Sequence, residues 1–162
     1  MARIKHAVLD AGPYIHLEEV GATKALDVIT QKFICQEVAK ELGHVPPKTD
    51  VEELGDASKD FTLILCNEHG LDLGEAQSIA LCRQNGVRIF LTDDLDARDV
   101  AKRFSITPHG SLGILLRALR EGIINKEAAE HHVIDLQKES TLFLTSDLIQ
   151  YVVSEIRRFR KQ

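Results

Sequence analysis

Short apolar runs alternate with longer segments of mixed polarity along most of the chain. Apolar residues fill successive positions of each short run, which is typical of strands that are buried on both faces of a parallel sheet. The strands predicted in this way are residues 4–9, 33–35, 61–66, 87–92 and 142–144. The helices predicted between and after them are residues 14–19, 22–29, 37–42, 73–84, 95–104, 111–120, 126–138 and a last one that begins at 146 or 147.

Strands that alternate with helices predict an α/β fold. We expect a single-domain α/β/α sandwich with a mainly parallel central sheet, because no linker, internal repeat or low-complexity tract divides the 162 residues. Residues 44–59 contain two adjacent prolines and several acids, and they are predicted as a loop or a peripheral insertion.

Composition narrows the possible functions. The chain has 25 acidic and 20 basic residues, a net charge of −5, which argues against a broad basic surface for nucleic acid. No apolar run approaches the roughly 20 residues that span a bilayer, and we expect no signal peptide. Cys35, Cys66 and Cys82 form no C-x-x-C pair, so we expect small buried side chains in a cytoplasmic protein.

Acidic residues follow the predicted strands at the edge where an open α/β sheet binds its ligands. The acids at these positions are Asp10, Glu37 and Glu41, Glu75, and Asp93 with Asp94. Taken singly, each has an ordinary structural explanation as a helix N-cap, as half of a capping box formed by Asp72 and Glu75, or as a solvated helix residue.

Taken together, these acids predict a cation site. Carboxylates gathered without a Lys or Arg partner repel one another, and a divalent cation removes that cost. Mg²⁺ and Mn²⁺ prefer carboxylate oxygens, and a pair of such ions can activate water for phosphodiester cleavage. The sequence has no P-loop and no G-x-G-x-x-G motif.

An ordered set of motifs resembles the PIN-domain ribonucleases, in particular short PIN proteins similar to VapC-type toxins. The motifs are Val8-Leu9-Asp10-Ala11, Val38-Ala39-Lys40-Glu41-Leu42, Leu73-Gly74-Glu75-Ala76, Leu91-Thr92-Asp93-Asp94, the D-D-x-x-A-R-x-x-A run from Asp93 to Ala101, and Gly110-Ser111-Leu112-Gly113-Ile114-Leu115. The resemblance covers about residues 4–125. Residues 1–125 are therefore predicted as the nuclease domain, and residues 126–162 as a helical extension packed on it.

The resemblance implies a Mg²⁺- or Mn²⁺-dependent endoribonuclease that leaves a 5′-phosphate and a 3′-hydroxyl. It implies catalytic roles for Asp10, Glu41, Glu75 and Asp94, of which Asp10, Glu75 and Asp94 hold metal with Asp93 as a helper and Asp96 as a weaker one. Predicted substrate contacts are Thr92, Arg98, Lys102 and Ser111. Single-stranded RNA is the expected substrate, and an antitoxin protein and a second copy of the chain are the expected partners, with no membrane partner.

Some residues depart from the pattern or support other interpretations. Gly12 stands where the family often has Asn or Ser, so this position offers no side-chain hydrogen bond to support the ligands. Arg98 and Lys102 are equally explained by a solvated helix face on which Lys102 pairs with Asp99, and Ser111 by helix capping. A PIN fold that binds a partner and turns over little is the main alternative. A phosphotransfer domain is a weaker one, because residues 61–66 end in Cys66-Asn67 rather than in Asp.

Overall fold

The central sheet has five parallel strands. The computed structural model describes residues 2–161. Its strands are β1 (Ile4–Leu9), β2 (Ile29–Cys35), β3 (Thr49–Glu52), β4 (Ile89–Leu91) and β5 (Thr107–His109), in the order β3-β2-β1-β4-β5. Every neighbouring pair is parallel, which confirms the predicted α/β class and the parallel sheet.

Helices flank this sheet to make the predicted α/β/α sandwich. They are α1 (Ala11–Glu19), α2 (Gln36–Leu42), α3 (Asp56–His69), α4 (Leu73–Asn85), α5 (Leu95–Arg103), α6 (Ser111–Arg120), α7 (Lys126–Lys138) and α8 (Ser146–Arg158). Helix α4 packs against β1, β2 and β4, and α3 packs against α4. Val8 and Leu9 point to opposite faces of β1 and both are fully buried, so both faces of the central strand are covered.

The register of the sheet decides which residues meet at its carboxyl edge. Leu9 of β1 lies opposite Leu91 of β4, and Leu91 lies opposite His109 of β5. The residues that follow these strands are therefore side by side, although they are distant in sequence. The backbone N–H of Asp10 donates to the Leu91 carbonyl at 2.9 Å, and that of Thr92 donates to the His109 carbonyl at 2.9 Å.

The prediction of a strand at residues 61–66 is wrong, because these residues lie within α3. Thr62 and Leu65 are buried there, whereas Leu63 and Ile64 are 58% and 46% exposed. The apolar run therefore includes side chains that face solvent as well as side chains that face the core. A short run of apolar residues does not by itself show whether a segment is a strand or a helix.

The sheet edges were also predicted incorrectly. β3 and β5 are polar edge strands that the pattern does not reveal, and β3 lies within the segment predicted as a loop. Pro108 fits β5 because an edge strand tolerates a missing N–H donor. Residues 142–144 form no strand but an irregular connection between α7 and α8, and the segment predicted as a helix at 22–29 is the 3₁₀ helix Thr23–Val28.

The two last helices pack on the rest of the molecule. Helix α7 contacts α1 and α6, and α8 contacts α7. Val133, Leu136, Val152 and Ile156 are buried members of the hydrophobic core. The division at residue 125 stays a prediction. In the described residues 2–161, no helix has the length and apolar character needed to cross a membrane.

Candidate functional site

An acidic pocket of about 290 Å³ lies at the carboxyl edge of the sheet. The six carboxylates that line it belong to Asp10, Glu41, Asp72, Glu75, Asp93 and Asp94. Residues 11, 12, 16 and 141–143 complete its wall. Among residues 2–161, no Lys or Arg side chain lines this pocket, so the carboxylates have no fixed cation to offset their charge.

Asp10 is the most buried acid of the pocket, with 8% of its surface exposed. It caps α1 by accepting a hydrogen bond from the Ala11 N–H at 3.0 Å, and its second oxygen accepts one from the Thr92 hydroxyl at 3.2 Å. Burial raises the pKa of Asp10 to about 7, and the Asp72 and Glu41 carboxylates contribute in the same direction. The two hydrogen bonds oppose this shift only in part.

Glu75 reaches the pocket from the first turn of α4. It forms a capping box with Asp72: the Glu75 N–H donates to Asp72 Oδ1 at 2.8 Å, and the Asp72 N–H donates to Glu75 Oε2 at 3.2 Å. Partial burial, followed by the charges of Asp72 and Asp94, raises the pKa of Glu75 to about 7. The interpretation of Asp72 and Glu75 as a capping box is therefore correct, and both side chains also line the acidic pocket.

Asp94 caps α5 by accepting from the Ala97 N–H at 2.8 Å. Its own N–H donates to Thr92 Oγ1 at 3.3 Å, so one hydroxyl links Asp10 and Asp94. Thr92 is fully buried, which leaves no surface for the predicted substrate contact. Its geometry is that of a residue that positions the two carboxylates.

Asp93 is held by three hydrogen bonds from distant parts of the chain. Its Oδ1 accepts from the Ser111 N–H at 2.7 Å, and its Oδ2 accepts from the Ser111 hydroxyl at 2.6 Å. His16 Nδ1 lies 2.7 Å from Oδ2 and donates to it, since a carboxylate only accepts. Ser111 is fully buried, so the structure ties it to Asp93 and leaves no surface for the predicted substrate contact. The role of Asp93 as a metal helper stays a prediction.

His16 is expected to stabilise the edge of the pocket through Asp93. We expect His16→Ala to lower the free energy of unfolding by about 1.5–3 kcal/mol, the usual range for a hydrogen bond to a charged group. Urea unfolding of the purified variant measures this. His131→Ala is the matched control, because the His131 side chain is 72% exposed and should cost little. Equal stability of the two variants would contradict the role of His16.

Of the other predicted site residues, Glu41 lines the acidic pocket, whereas Arg98, Lys102 and Asp96 lie outside its lining. Glu41 lines the pocket from α2, and its Oε2 lies 3.9 Å from where a Cβ would stand on Gly74. Arg98 is half-buried beside the pocket, and its Nη1 donates to the Thr92 carbonyl at 3.4 Å. Lys102 is exposed and pairs with Asp99 at 3.9 Å. Asp96 is exposed and does not line the acidic pocket.

The donor set fits a hard divalent cation. Its groups are carboxylates, and the pKa values of two of them, Asp10 and Glu75, are strongly raised. In residues 2–161, no Lys or Arg side chain lines the pocket and competes for these carboxylates. The structure does not gather three or more His, Cys, Asp or Glu side chains of these residues into a closed metal-binding group. Asp10, Glu75 and Asp94 each accept a hydrogen bond from a backbone N–H through one oxygen.

Two titratable residues that line the pocket, Asp72 and His16, are not among the site residues predicted from the sequence. Asp72 has a local signal, because the spacing Asp72-x-x-Glu75 places both acids at one helix start. His16 has a weaker one, since it lies one helical turn after Gly12 and so shares the face of α1 that borders the pocket. The His16 Cε1 atom stands 3.6 Å from the position of a Cβ on Gly12, so this His occupies the space that the small residue leaves.

Comparisons with known proteins give one result that covers most of the chain. A family model described as a PIN domain matches residues 6–158. The match extends through α7 and α8. The comparisons with curated proteins and with solved structures gave no match.

Proposed function

The chain belongs to the PIN-domain family, and from that premise we propose that it is a Mg²⁺- or Mn²⁺-dependent endoribonuclease that hydrolyses RNA phosphodiester bonds. PIN domains are generally nucleases and typically use divalent metals. The observation that carries the proposal is the acidic pocket, in which six carboxylates meet without a Lys or Arg side chain among its described lining residues.

The electrostatics of the pocket supports the binding of a cation there. Asp10 and Glu75 both have pKa values of about 7, and ionising both carboxyl groups together destabilises the folded protein through their repulsion. A divalent ion favours the ionised forms and removes the repulsion. When bound, such an ion would activate water and offset the charge that develops on the phosphate.

The residues of the chain have separable roles in this proposal. Asp10, Glu75 and Asp94 would hold the cation, and Glu41 would assist it or hold a second ion. Thr92 keeps Asp10 and Asp94 in place through its hydroxyl. Asp93 fixes the start of α6 and would add charge at the rim, whether or not it binds metal.

Two basic side chains of α5 are candidates for holding the substrate. We propose that Arg98, beside the pocket, and the exposed Lys102 contact backbone phosphates of the RNA. With a net charge of −5, the chain should bind RNA weakly and lose much of that binding in high salt. An antitoxin partner and a homodimer are proposed on the family resemblance alone. A cytoplasmic location is proposed from the three cysteines, which form no C-x-x-C pair.

A binding or regulatory PIN fold that turns over little is the second candidate. The observation that favours it is that Asp72 and Glu75 satisfy each other in a capping box, and that no closed metal-binding group forms among residues 2–161. In that case a PIN fold would bind its partner through the same edge, and added metal would stabilise the protein without causing cleavage.

Cleavage that depends on metal tests the proposal directly. We expect the purified protein to cut single-stranded RNA with Mn²⁺ or Mg²⁺, to stop with excess EDTA, and to recover when the metal is restored. The products should have 5′-phosphate ends, which phosphatase treatment followed by end-labelling detects. Cleavage that continues unchanged in EDTA would contradict the metal mechanism, and metal binding without cleavage would support the second candidate.

A further inference from the structure

Phe143 stands out because 88% of its surface is exposed beside the acidic pocket. It lies in the connection between α7 and α8, and Thr141 and Leu142 line the pocket with it. Among the described residues, Phe143 forms no aromatic pair and no cation–π contact. An apolar ring in this position has no role in the core.

The backbone that carries Phe143 is nevertheless anchored. The Thr141 N–H and hydroxyl donate to the two oxygens of Glu19, at 2.9 Å and 2.7 Å, and so tie the segment to the end of α1. On the other side, Gln137 Nε2 donates to the Leu144 carbonyl at 3.3 Å. The ring is therefore presented from a segment that is fixed on both sides of it.

A second pocket, of about 550 Å³, begins where the acidic pocket ends. The two pockets share Asp93, Leu142 and Phe143, so they adjoin each other at these residues. The second pocket is mostly apolar, and Leu95 and Leu148 on its wall are 75% and 41% exposed. Its volume lies within the range of about 300–1,000 Å³ that is common for small-molecule sites.

The chemistry of the two adjoining pockets indicates which class of ligand they could bind. An acidic half suited to a metal-bound phosphate adjoins an apolar half with an exposed aromatic ring and the guanidinium of Arg98. A nucleotide has this arrangement, with an anionic phosphate on one side and a flat, weakly polar base on the other. Stacking of bases on aromatic side chains also supplies affinity that a chain with a net charge of −5 cannot gain from a basic surface.

We propose that Phe143, with the apolar pocket between α5 and α8 that it borders, forms a subsite for an unpaired nucleobase next to the scissile phosphate. This inference rests on the proposed nuclease function, and it defines the substrate as single-stranded RNA at the point of cleavage. A base within a duplex is stacked on its neighbours and cannot stack on Phe143.

The absence of tryptophan from the sequence allows a single fluorescent reporter to be introduced at this subsite. Phe143→Trp introduces a single indole where the base should stack. In the Asp10→Asn background, which is expected to leave RNA uncut, and with Mg²⁺ present, a short single-stranded RNA should quench the fluorescence of this indole. An abasic strand of equal length and charge should quench it far less. Tyr151→Trp is the matched control, because Tyr151 is 63% exposed on α8 and lines neither pocket.

Substitutions at Phe143 then measure the contribution of stacking. We expect Phe143→Ala to weaken binding of single-stranded RNA by about 5- to 100-fold and to raise KM without lowering metal-induced stabilisation. Phe143→Tyr should restore binding, since a flat ring is retained. Phe143→Leu should not, although it keeps an apolar side chain.

The outcomes separate this inference from the nuclease proposal. Quenching by single-stranded RNA without any metal-dependent cleavage would support the subsite while the proposed function fails. Metal-dependent cleavage with an unchanged KM in Phe143→Ala and no quenching would overturn the subsite. Equal binding by the Phe143→Leu variant would overturn stacking, and loss of a dimer in Phe143→Ala with normal RNA binding would assign the surface to a second copy of the chain.

Discussion

Asp10→Asn is expected to lower Mn²⁺-dependent RNA cleavage on the order of 1,000-fold, because a carboxylate that holds the cation supplies several kcal/mol of transition-state stabilisation. Asn retains the oxygen that accepts from the Ala11 N–H and has nearly the same shape, so the cap of α1 should survive. The measurement is kcat/KM for a labelled single-stranded RNA, with circular dichroism to verify folding.

The control for this variant is the same change at an acid outside the pocket. Asp99 is an exposed residue of α5 whose only ion pair within residues 2–161 is with Lys102, so Asp99→Asn should leave kcat/KM within about twofold. Glu75→Gln and Asp94→Asn should each lose activity by a large factor. If Asp10→Asn retained most of the wild-type activity, the pocket would not be the site of cleavage.

The unmetallated protein is expected to lose stability as pH rises from about 4 to above 7. Burial raises the pKa of Asp10 from 3.8 to about 7, so the native state binds more protons than the unfolded state in this interval. Stability falls with pH wherever the native state binds more protons, and the full penalty of about 4 kcal/mol is reached above the native pKa. Glu75 should add to it in the same direction, reduced by solvent because this side chain is only half-buried.

Thermal unfolding in EDTA at pH 4.5 and pH 8 tests this dependence. Asp10→Asn should match the wild type at the lower pH and exceed its Tm by roughly 5–10 °C at the higher pH. Mn²⁺ should raise the Tm of the wild type much more at pH 8 than at pH 5.5, since the ion competes with protons, and it should raise that of the variant less. A variant that is less stable than the wild type at pH 8 would show that the cap, and not the repulsion, dominates at this position.

The local pattern predicts much of the fold. β1 was predicted with its observed bounds, and helices α4 to α7 were predicted within about two residues, because apolar spacing and Gly or capping residues mark them directly. The errors at 61–66, β3 and β5 have two causes. Edge strands need no apolar side chains, and a helix with a partly exposed apolar run has no clear period over six residues.

The positions of the proposed ligands at one edge were also predictable, although for a reason that was partly wrong. Glu75 was expected to follow a strand, but it reaches the pocket from the start of α4, directly after the α3 helix. The prediction still placed it correctly because α4 packs across β1, β2 and β4 and begins at their carboxyl ends. Its role as a ligand remains to be tested by experiment.

The α/β class, the order of most elements and the set of acids that follow them could be predicted from the amino-acid sequence, because they depend on residues within a few positions of one another. Three features depend on the three-dimensional fold. His16 and Ser111 hold Asp93 across separations of 77 and 18 residues, Thr92 links Asp10 to Asp94, and Phe143 reaches the acidic pocket. Such contacts depend on strand register and helix packing, which bring distant residues together and leave no periodic signal in the chain.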